Sequence, residues 1–407
     1  MLLMSALVGA FTSIYALGYF EGADERDSGL FCPLWLFLWA ALNALFLSAD
    51  IFNLYVTLEL IGLASAALIT LDGQRAALIA GMRYLLVSLL GSLFFLLGVA
   101  LLYVAFGTLS LKGLGAVLTP SPIVWTAIAA ISVGLLLKTA LFPLHFWLPP
   151  AHANAPAPVS AVLSALVVKA SFYLLLRLWF DVFPAALTPA AGQLLGGLGV
   201  AAILWGSLLA LRQERLKLLV AYSTVAQIGY LFLLFPLGVK TAWSGGVYHA
   251  LAHGCAKAAM FMAAGSMTRA LGHDRIDSLR GVSQQAPLSV FAFALAGMTL
   301  MGLPPSSGFV SKWLLLTAAL KSGQWWWAVA MVLGGLLAAG YVFRVLRQMF
   351  LPRTENACLC SVPRRMEVAA LGLALVALLL GFASHPALKL LETGAPFPIE
   401  LTKEAAR

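Results

Sequence analysis

Long apolar stretches, each about as long as a bilayer is thick, fill most of this chain and limit what it can fold into. A helix needs roughly 20 apolar residues to span about 30 Å of hydrocarbon. We predict twelve such helices, over residues 1–20, 31–49, 51–70, 77–106, 122–143, 157–180, 188–211, 217–235, 241–269, 286–320, 325–350 and 366–384. The 407 residues are 62% hydrophobic and 10% charged, whereas a soluble domain carries about 25% charged residues. We therefore expect an all-α polytopic membrane protein with a single membrane domain over 1–407.

The net charge of +9 is spread unequally over the two sides that alternate loops define, and no soluble domain is left to present a basic face to nucleic acid. One side collects Arg26, Arg75, Arg212, Arg215, Lys217, Arg275, Arg280, Arg353, Arg364 and Arg365. The other side has Lys112, Lys240, Lys321, Lys389, Lys403 and Arg407. Basic residues favour the cytoplasmic side. The pattern predicts a multi-pass protein of the cell inner membrane with both termini in the periplasm.

A rough internal symmetry divides the predicted helices. Residues 31–180 contain five spans, residues 188–350 contain five more, and 366–384 forms a C-terminal transmembrane helix. Because five is odd, the second set enters the membrane from the opposite side. We therefore predict two inverted five-helix repeats.

The fourth span of each set carries a lysine close to a proline interruption. Lys138 precedes Pro143 in KTALFPLHFWLPP, and Pro304 and Pro305 precede Lys312 in GLPPSSGFVSKW. Proline removes a backbone donor and clashes with the carbonyl one turn back, so both helices should break. Paired broken helices at corresponding positions point to a transport site, although prolines also produce ordinary kinks in membrane helices. A lysine beside each break favours transport.

Several ionisable side chains lie deep inside apolar spans, where a charge at the helix centre costs at least ~2.5–3.5 kcal/mol and usually faces a partner or a wet cavity. They are Glu59, Lys138, Lys169, His249, His253, Lys257 and Lys312. Their positions make them candidates for a buried Lys/His/Glu proton relay.

Three of these candidates, His249, His253 and Lys257, are spaced i, i+4, i+8 and so share one helix face, about 6 Å apart per step. A proton can cross such a step with one water between the groups, and histidine titrates near neutral pH. The two histidines have a metal-ligand spacing, but the helix offers no third ligand and Lys257 would repel a cation. Structural hydrogen bonding between helices is a second alternative to proton transfer.

Glu59 and Lys138 could form a static ion pair that holds two helices together, but a buried pair is weak evidence for stability because desolvation offsets most of the attraction. In a proton carrier, such a pair could control when the lysine binds and releases its proton. Lys138 would hold its proton when Glu59 is close and release it when Glu59 moves away. Of the remaining basic groups, we expect Lys217 to be a cytoplasmic anchor and His145 and His152 to cap the interfacial WLPPAHANAPAP turn.

The chain resembles the proton-conducting antiporter-like subunits shared by respiratory complex I, membrane-bound hydrogenases and Mrp-type sodium/proton antiporters, including the D-type subunits of Mrp. The resemblance covers nearly the whole chain and rests on DIFNLYVTLEL, LLLKTALFPLHFWLPPAHANAPAPVSAVLSALVVKASFY, LKLLVAYSTVAQIGY, YHALAHGCAKAAMF and GLPPSSGFVSKWLLL. It implies two inverted five-helix bundles, each with a broken helix. It also implies two further N-terminal helices that this sequence does not contain, and the residue after WLP, often Asp in the family, is Pro150 here.

The resemblance also implies roles for matching positions. Glu59 would be the carboxylate that partners Lys138, and Lys169 would be the central relay residue. His249 and His253 would form the relay of the second bundle, and Lys312 would be the exit-side group.

We find no phosphate loop, haem pattern or iron–sulfur spacing, and Cys358 and Cys360 have no further ligand nearby, so we expect no cofactor, no metal and no redox site of the chain's own. The leading hypothesis is a proton-translocating subunit of a NADH dehydrogenase-like or related complex, whose partners are other membrane subunits, the lipid bilayer, protons and possibly sodium. The alternatives are a cation/proton antiporter, a subunit that energises uptake of inorganic carbon, and a non-conducting structural subunit.

Overall fold

The structure is a computed structural model that describes residues 1–22, 25–352 and 360–397, without the side chains of 25–27. Five residues named in the sequence analysis lie wholly or partly outside the described residues. They are Arg26, of which only the side chain is affected, and Arg353, Cys358, Lys403 and Arg407.

Within those ranges the chain folds into helices. The first are α1 (Leu2–Tyr19), α2 (Glu25–Leu47), α3 (Ile51–Ile69), α4 (Arg75–Phe106), α5 (Leu111–Val117) and α6 (Pro122–Thr139). The middle of the chain forms α7 (Leu148–Asn154), α8 (Ala157–Val162), α9 (Val168–Arg177), α10 (Pro189–Arg212), α11 (Leu216–Phe232) and α12 (Leu234–Leu237). The rest forms α13 (Lys240–Leu271), α14 (Val282–Gln285), α15 (Pro287–Met301), α16 (Ser307–Lys321), α17 (Trp325–Met349), α18 (Arg364–Phe382) and α19 (Ser384–Glu392). Two π-helical turns, Leu163–Val167 and Leu178–Val182, join and extend α8 and α9, and a 3₁₀ turn covers Ile276–Ser278.

The predicted membrane architecture is confirmed. Ten helices of the described residues are long and apolar enough to cross a bilayer. The other two predicted stretches are also helical. One is α13, which is more polar because it carries the histidine stripe, and the other is the broken pair α15 and α16.

The helices differ in how much of their surface faces the rest of the protein. Helix α4 buries 44% of its most apolar stretch and exposes leucines such as Leu86 and Leu93, whereas the span Ala157–Val182 buries 94% and Leu216–Leu237 buries 89%. A half-exposed apolar helix suits contact with lipid, and a fully buried one lies inside the bundle. The centre of the molecule is therefore built from α8, α9, α11 and α13.

The two halves of the chain repeat each other in detail. Helices α4 and α13 both have 32 residues, and each ends at a glycine in the left-handed region, Gly107 with φ +66° and Gly272 with φ +73°. Aligning the first residues of these two helices aligns their last residues and both glycines as well.

The same shift in residue number aligns two isolated backbone bridges. Asp50 pairs with Ser110 at the start of α3, and Arg215 pairs with Arg275 at the start of α11. Five membrane crossings separate Asp50 from Arg215, so the two bridges lie on opposite faces. These features support the inverted repeats, whose bounds at 31–180 and 188–350 stay a prediction.

Both predicted interruptions are present. Helix α6 ends at Thr139, four residues before the predicted limit of its span, and Ala140 adopts the left-handed region with φ 57°. Helix α15 ends at Met301, followed by Gly302 with φ +83°, and α16 restarts at Ser307. Each break contains a cis X-Pro bond, Phe142–Pro143 in the first and Pro304–Pro305 in the second.

Glycine allows α4 and the first broken helix to touch through their backbones. A Cβ on Gly134 would lie 2.3 Å from the carbonyl oxygen of Gly91 and 3.0 Å from the nitrogen of Phe95, both of which are backbone atoms that cannot rotate away.

We therefore expect Gly134→Ala to lower the free energy of unfolding by about 1–3 kcal/mol, the usual cost of overpacking. Denaturant unfolding of the purified protein in detergent measures this change. Gly197→Ala on α10 is the matched control, because a Cβ there meets no atom within 4 Å. Equal effects of the two substitutions would contradict the close contact.

Candidate functional site

Lys138 lies in the last turn of α6, directly before the first break. Its side chain is only 8% exposed, and its Nζ donates a hydrogen bond of 2.9 Å to Ser88 Oγ on α4. The unpaired carbonyls at a helix C-terminus favour a nearby cation, which offsets part of the cost of burying this amine. Beside it is a cavity of about 20 Å³ whose lining includes Gly62, Ser88, Lys138 and Ser171. That volume is enough for a water molecule.

Glu59 lies near this lysine but does not pair with it. In the part of the chain that the structure describes, no ion pair joins Glu59 to Lys138, although their charges interact. Glu59 Oε1 is buried without a hydrogen-bond partner. Gly62, one turn further along α3, lets this helix approach Lys138, since a Cβ there would lie 2.5 Å from Ser88 Oγ. A carboxylate that is near but unpaired is compatible with the predicted gate, which stays a prediction.

Lys169 lies at the start of α9, directly after the first π-helical turn, and is fully buried. In an α-helix the N–H of Val168 would donate to Ser164, but here it donates to the carbonyl of Leu163. The Lys169 ammonium donates to the carbonyl of Ser164. Ser164 Oγ in turn lies 3.0 Å from Thr224 Oγ1 on α11, so the lysine stands where the two repeats meet. Single π turns are frequent at functional sites.

The three groups on α13 share a face, as predicted, and all are at most 1% exposed. Lys257 donates to the carbonyl of Val220 and to Ser223 Oγ at 2.7 Å. The rings of His253 and His249 are parallel, with centroids 5.9 Å apart. His249 Nδ1 lies 3.0 Å from Ser311 Oγ on α16, the second half of the second broken helix.

Both ring nitrogens of His253 and the Nε2 of His249 have no hydrogen-bond partner among the described residues. Most buried polar atoms are hydrogen-bonded, so these are exceptions. A ring nitrogen without a partner can accept a proton without breaking an existing bond. The described residues contain no group of three His, Cys, Asp or Glu side chains that could hold a metal ion.

Lys312 reaches from α16 back across the second break. Its Nζ donates to the carbonyl of Leu300 at 2.6 Å, in the last turn of α15, and lies 4.1 Å from the centre of the Tyr230 ring. Gly302 makes room for this reach, because a Cβ there would lie 2.8 Å from Lys312 Cδ. Lys138 thus belongs to the last turn of the first half of its broken helix, and Lys312 reaches the last turn of the first half of the other.

The structure places several of the predicted groups next to one another. The cavity beside Lys138 is lined by Ser171 on α9, the helix that carries Lys169, but residues two apart on a helix do not share a face, so the step from Lys138 to Lys169 stays a prediction. Ser164 contacts Thr224, whose neighbour Ser223 binds Lys257. The remaining polar side chains follow in the order His253, His249, Ser311 and Lys312.

Sequence reasoning missed one polar stripe. When α4 is aligned with α13 by their ends, three polar residues of α4 occupy the positions equivalent to the stripe on α13. Tyr84 is equivalent to His249, Ser88 to His253 and Ser92 to Lys257. All three are buried, and Ser88 binds Lys138. The i, i+4, i+8 spacing of polar groups in an apolar helix, compared between the two helices, is the signal that could have revealed it.

Two minor sites are more buried than expected. Lys217, expected to be a cytoplasmic anchor, is 8% exposed and donates to the carbonyl of Ala155, and the side of the membrane that it faces stays a prediction. His152, expected to be an interfacial cap, is fully buried, and neither ring nitrogen has a partner among the described residues. The reason is that α7, the second half of the first broken helix, packs against α11 instead of lying at the surface.

Residues 48–338 match the family described as NADH:quinone oxidoreductase/Mrp antiporter, TM. The N subunit of the NADH-quinone oxidoreductase of Desulforudis audaxviator is 38% identical over 89% of this chain and 72% of its own length. The D subunit of the Na⁺/H⁺ antiporter of Alkalihalophilus pseudofirmus is 28% identical over 95% of this chain and 79% of its own. Among solved structures, a chain of the membrane-bound sulfane sulfur reductase, an archaeal respiratory membrane complex, matches 96% of this chain and 81% of its own length with a TM-score of 0.87 and 29% identity.

Proposed function

The chain belongs to the NADH:quinone oxidoreductase/Mrp antiporter transmembrane family, and from that premise we propose that it moves protons through the membrane as one subunit of a larger complex. The observation that supports the proposal is the burial of the amines of Lys138, Lys169 and Lys257 and of the imidazoles of His253 and His249, with the half-buried Lys312 at the second broken helix. The names of its relatives, subunits of an oxidoreductase and of an antiporter, support the assignment to a multi-subunit assembly.

Protons enter the row at Lys138, pass Lys169 and the Lys257, His253 and His249 stripe, and leave near Lys312. Each amine is bound to carbonyl or hydroxyl oxygens, which accept hydrogen bonds from it without fixing its proton in an ion pair. The histidines between the amines offer nitrogens that are free to accept a proton. Protons can therefore move along the row without breaking a salt bridge.

Glu59 controls the first step by its distance from Lys138. A small movement of α3 towards α6 would bring the carboxylate into contact and hold the lysine proton, and the reverse movement would release it. A membrane potential of 100 mV is worth ~2.3 kcal/mol per charge. A change of two pK units in proton affinity, about 2.7 kcal/mol, is enough to compete with it.

Replacing Lys312 by methionine tests the proposal, because methionine fills similar space and carries no proton. The complex, purified with its companion subunits, is placed in liposomes, and a potassium diffusion potential drives protons inward while an internal pH dye reports their arrival. We expect Lys312→Met to reduce proton uptake by at least about 100-fold, the low end of what a positioned proton-transfer group contributes.

The matched control is Lys321→Met, a lysine at the exposed end of the same helix α16. It should leave proton uptake unchanged. Normal proton uptake by both variants would overturn the proposal. Uptake that needs sodium on the opposite side would instead indicate cation/proton antiport.

A further inference from the structure

One face of the protein has a polar cleft away from the Lys138 cavity. Its volume is about 480 Å³, and it lies where the end of α1, the loop between α3 and α4, and the end of α13 meet. Charged side chains of both signs line it, among them Glu21, Asp72 and Arg269. Charged walls and this volume suit a cleft filled by water.

Lys217 is one of the charged residues that line this cleft. The residue lines the cleft while its side chain is only 8% exposed, and its Nζ donates to the carbonyl of Ala155, the residue at which α7 ends. The amine therefore stands between water in the cleft and the second half of the first broken helix.

His152 lies one turn before Ala155 on α7 and points into the protein. It is fully buried, and its Nδ1 and Nε2 have no hydrogen-bond partner among the described residues. Its ring packs on Phe261 with centroids 5.5 Å apart, and Lys257 Nζ lies 5.2 Å from the centre of the same Phe261 ring. Ser160 Oγ donates to the His152 carbonyl at 2.7 Å, which fixes the backbone of this turn.

The charges of three lysines, Lys257, Lys169 and Lys217, act on the imidazole. Two of them belong to the relay and the third borders the cleft. Because neither ring nitrogen of His152 has a hydrogen-bond partner among the described residues, the ring can take up a proton at one nitrogen and release one from the other.

We infer that Lys217 and His152 form a proton-uptake branch that connects the cleft with Lys257 and Lys169. The Lys217 ammonium gives a proton to one ring nitrogen of His152, the other ring nitrogen gives its proton to the neutral amine of Lys257, and water in the cleft protonates Lys217 again. This inference rests on the proposed function. It adds a second inlet, which joins the row after Lys138.

Two measurements test the branch in the intact complex. The first is access to the cleft: with all four native cysteines replaced by serine, Lys217→Cys should react with a membrane-impermeant thiol reagent added on the side where Arg275→Cys reacts. Leu86→Cys, on the lipid-facing side of α4, should not react. A Lys217→Cys that stays unlabelled from both sides would overturn the inference.

The second measurement is proton uptake by liposomes. We expect His152→Leu and Lys217→Met each to remove the share of proton uptake that enters through the branch, and the remaining uptake to disappear when Lys138→Ala is added. Lys217→Arg should be equally impaired, because arginine keeps the positive charge and the hydrogen bond to Ala155 but does not release its proton. If Lys217 were only structural, Lys217→Arg would restore normal uptake.

The outcomes separate this inference from the proposed function. Normal uptake by His152→Leu or Lys217→Arg, together with impaired uptake by Lys312→Met, would overturn the branch and leave the main pathway standing. Normal uptake by all of these variants would remove both.

Discussion

Lys169→Met is expected to abolish proton uptake by liposomes that contain the complex, with a fall of about 100-fold or more, while the subunit stays assembled. Lys169 is fully buried at the junction of the two repeats, where its neighbours, the carbonyl of Ser164 and the hydroxyls of Ser164 and Thr224, cannot replace it as proton carriers. Methionine fills the same space without a titratable group.

Stability should change little in this variant. Removing a buried charge that has no ionic partner, and replacing it by an apolar side chain of similar size, is often neutral or stabilising. Lys112→Met, an exposed lysine at the start of α5, is the control for the loss of a positive charge. A non-conducting structural subunit predicts the reverse, with normal proton uptake and an altered unfolding temperature.

The architecture could be predicted from the sequence because lipid imposes a simple rule. A span must be long and apolar, and proline or a buried lysine inside it stands out against that background. The breaks after Thr139 and Met301 lie where their prolines indicate. The groups at 249, 253 and 257 share a face because helical periodicity requires it.

What the sequence did not predict depends on packing between helices that are distant in the chain. The segment SAVLSALVVKASF does not predict the π turn before Lys169, because the side chains of this segment fit an ordinary α-helix equally well. The burial of Lys217 and His152 was not predicted for a related reason. A residue next to a proline-rich turn, such as His152, is normally superficial, but here α7 packs against α11. This contact buries His152 and brings Lys217 of α11 onto the carbonyl of Ala155.

The comparison of the two repeats also gives a reason for the serines in the polar stripe of α4 and the histidines in the polar stripe of α13. Lys138 ends its own half-helix, so a hydroxyl from Ser88 is enough to hold it. In the second bundle the equivalent half-helix end is occupied by Lys312, which arrives from the far side of the break. Under the proposed function the stripe on α13 carries the proton over the intervening distance, because an imidazole binds and releases protons near neutral pH and a serine hydroxyl does not.

Lys138→Ala is expected to abolish proton uptake through the first inlet and leave the complex assembled. The substitution removes the amine at the C-terminal end of α6 and enlarges the cavity of about 20 Å³ beside it, so water fills the site without supplying a group that binds and releases protons near neutral pH. If the uptake branch through His152 also operates, part of the uptake should survive in Lys138→Ala and disappear in the double variant with His152→Leu.

The role of Glu59 follows from a double-mutant cycle with the same lysine. Glu59→Gln alone should slow the proton uptake that enters at Lys138 by at least about tenfold, because the neutral amide no longer controls when Lys138 holds its proton. In the Lys138→Ala background Glu59→Gln should have no further effect, since two residues that act through one contact are not additive. Independent, additive losses would mean that Glu59 acts on a group other than Lys138, and the gate at the first broken helix would have to be abandoned even if the row of amines and imidazoles still conducts.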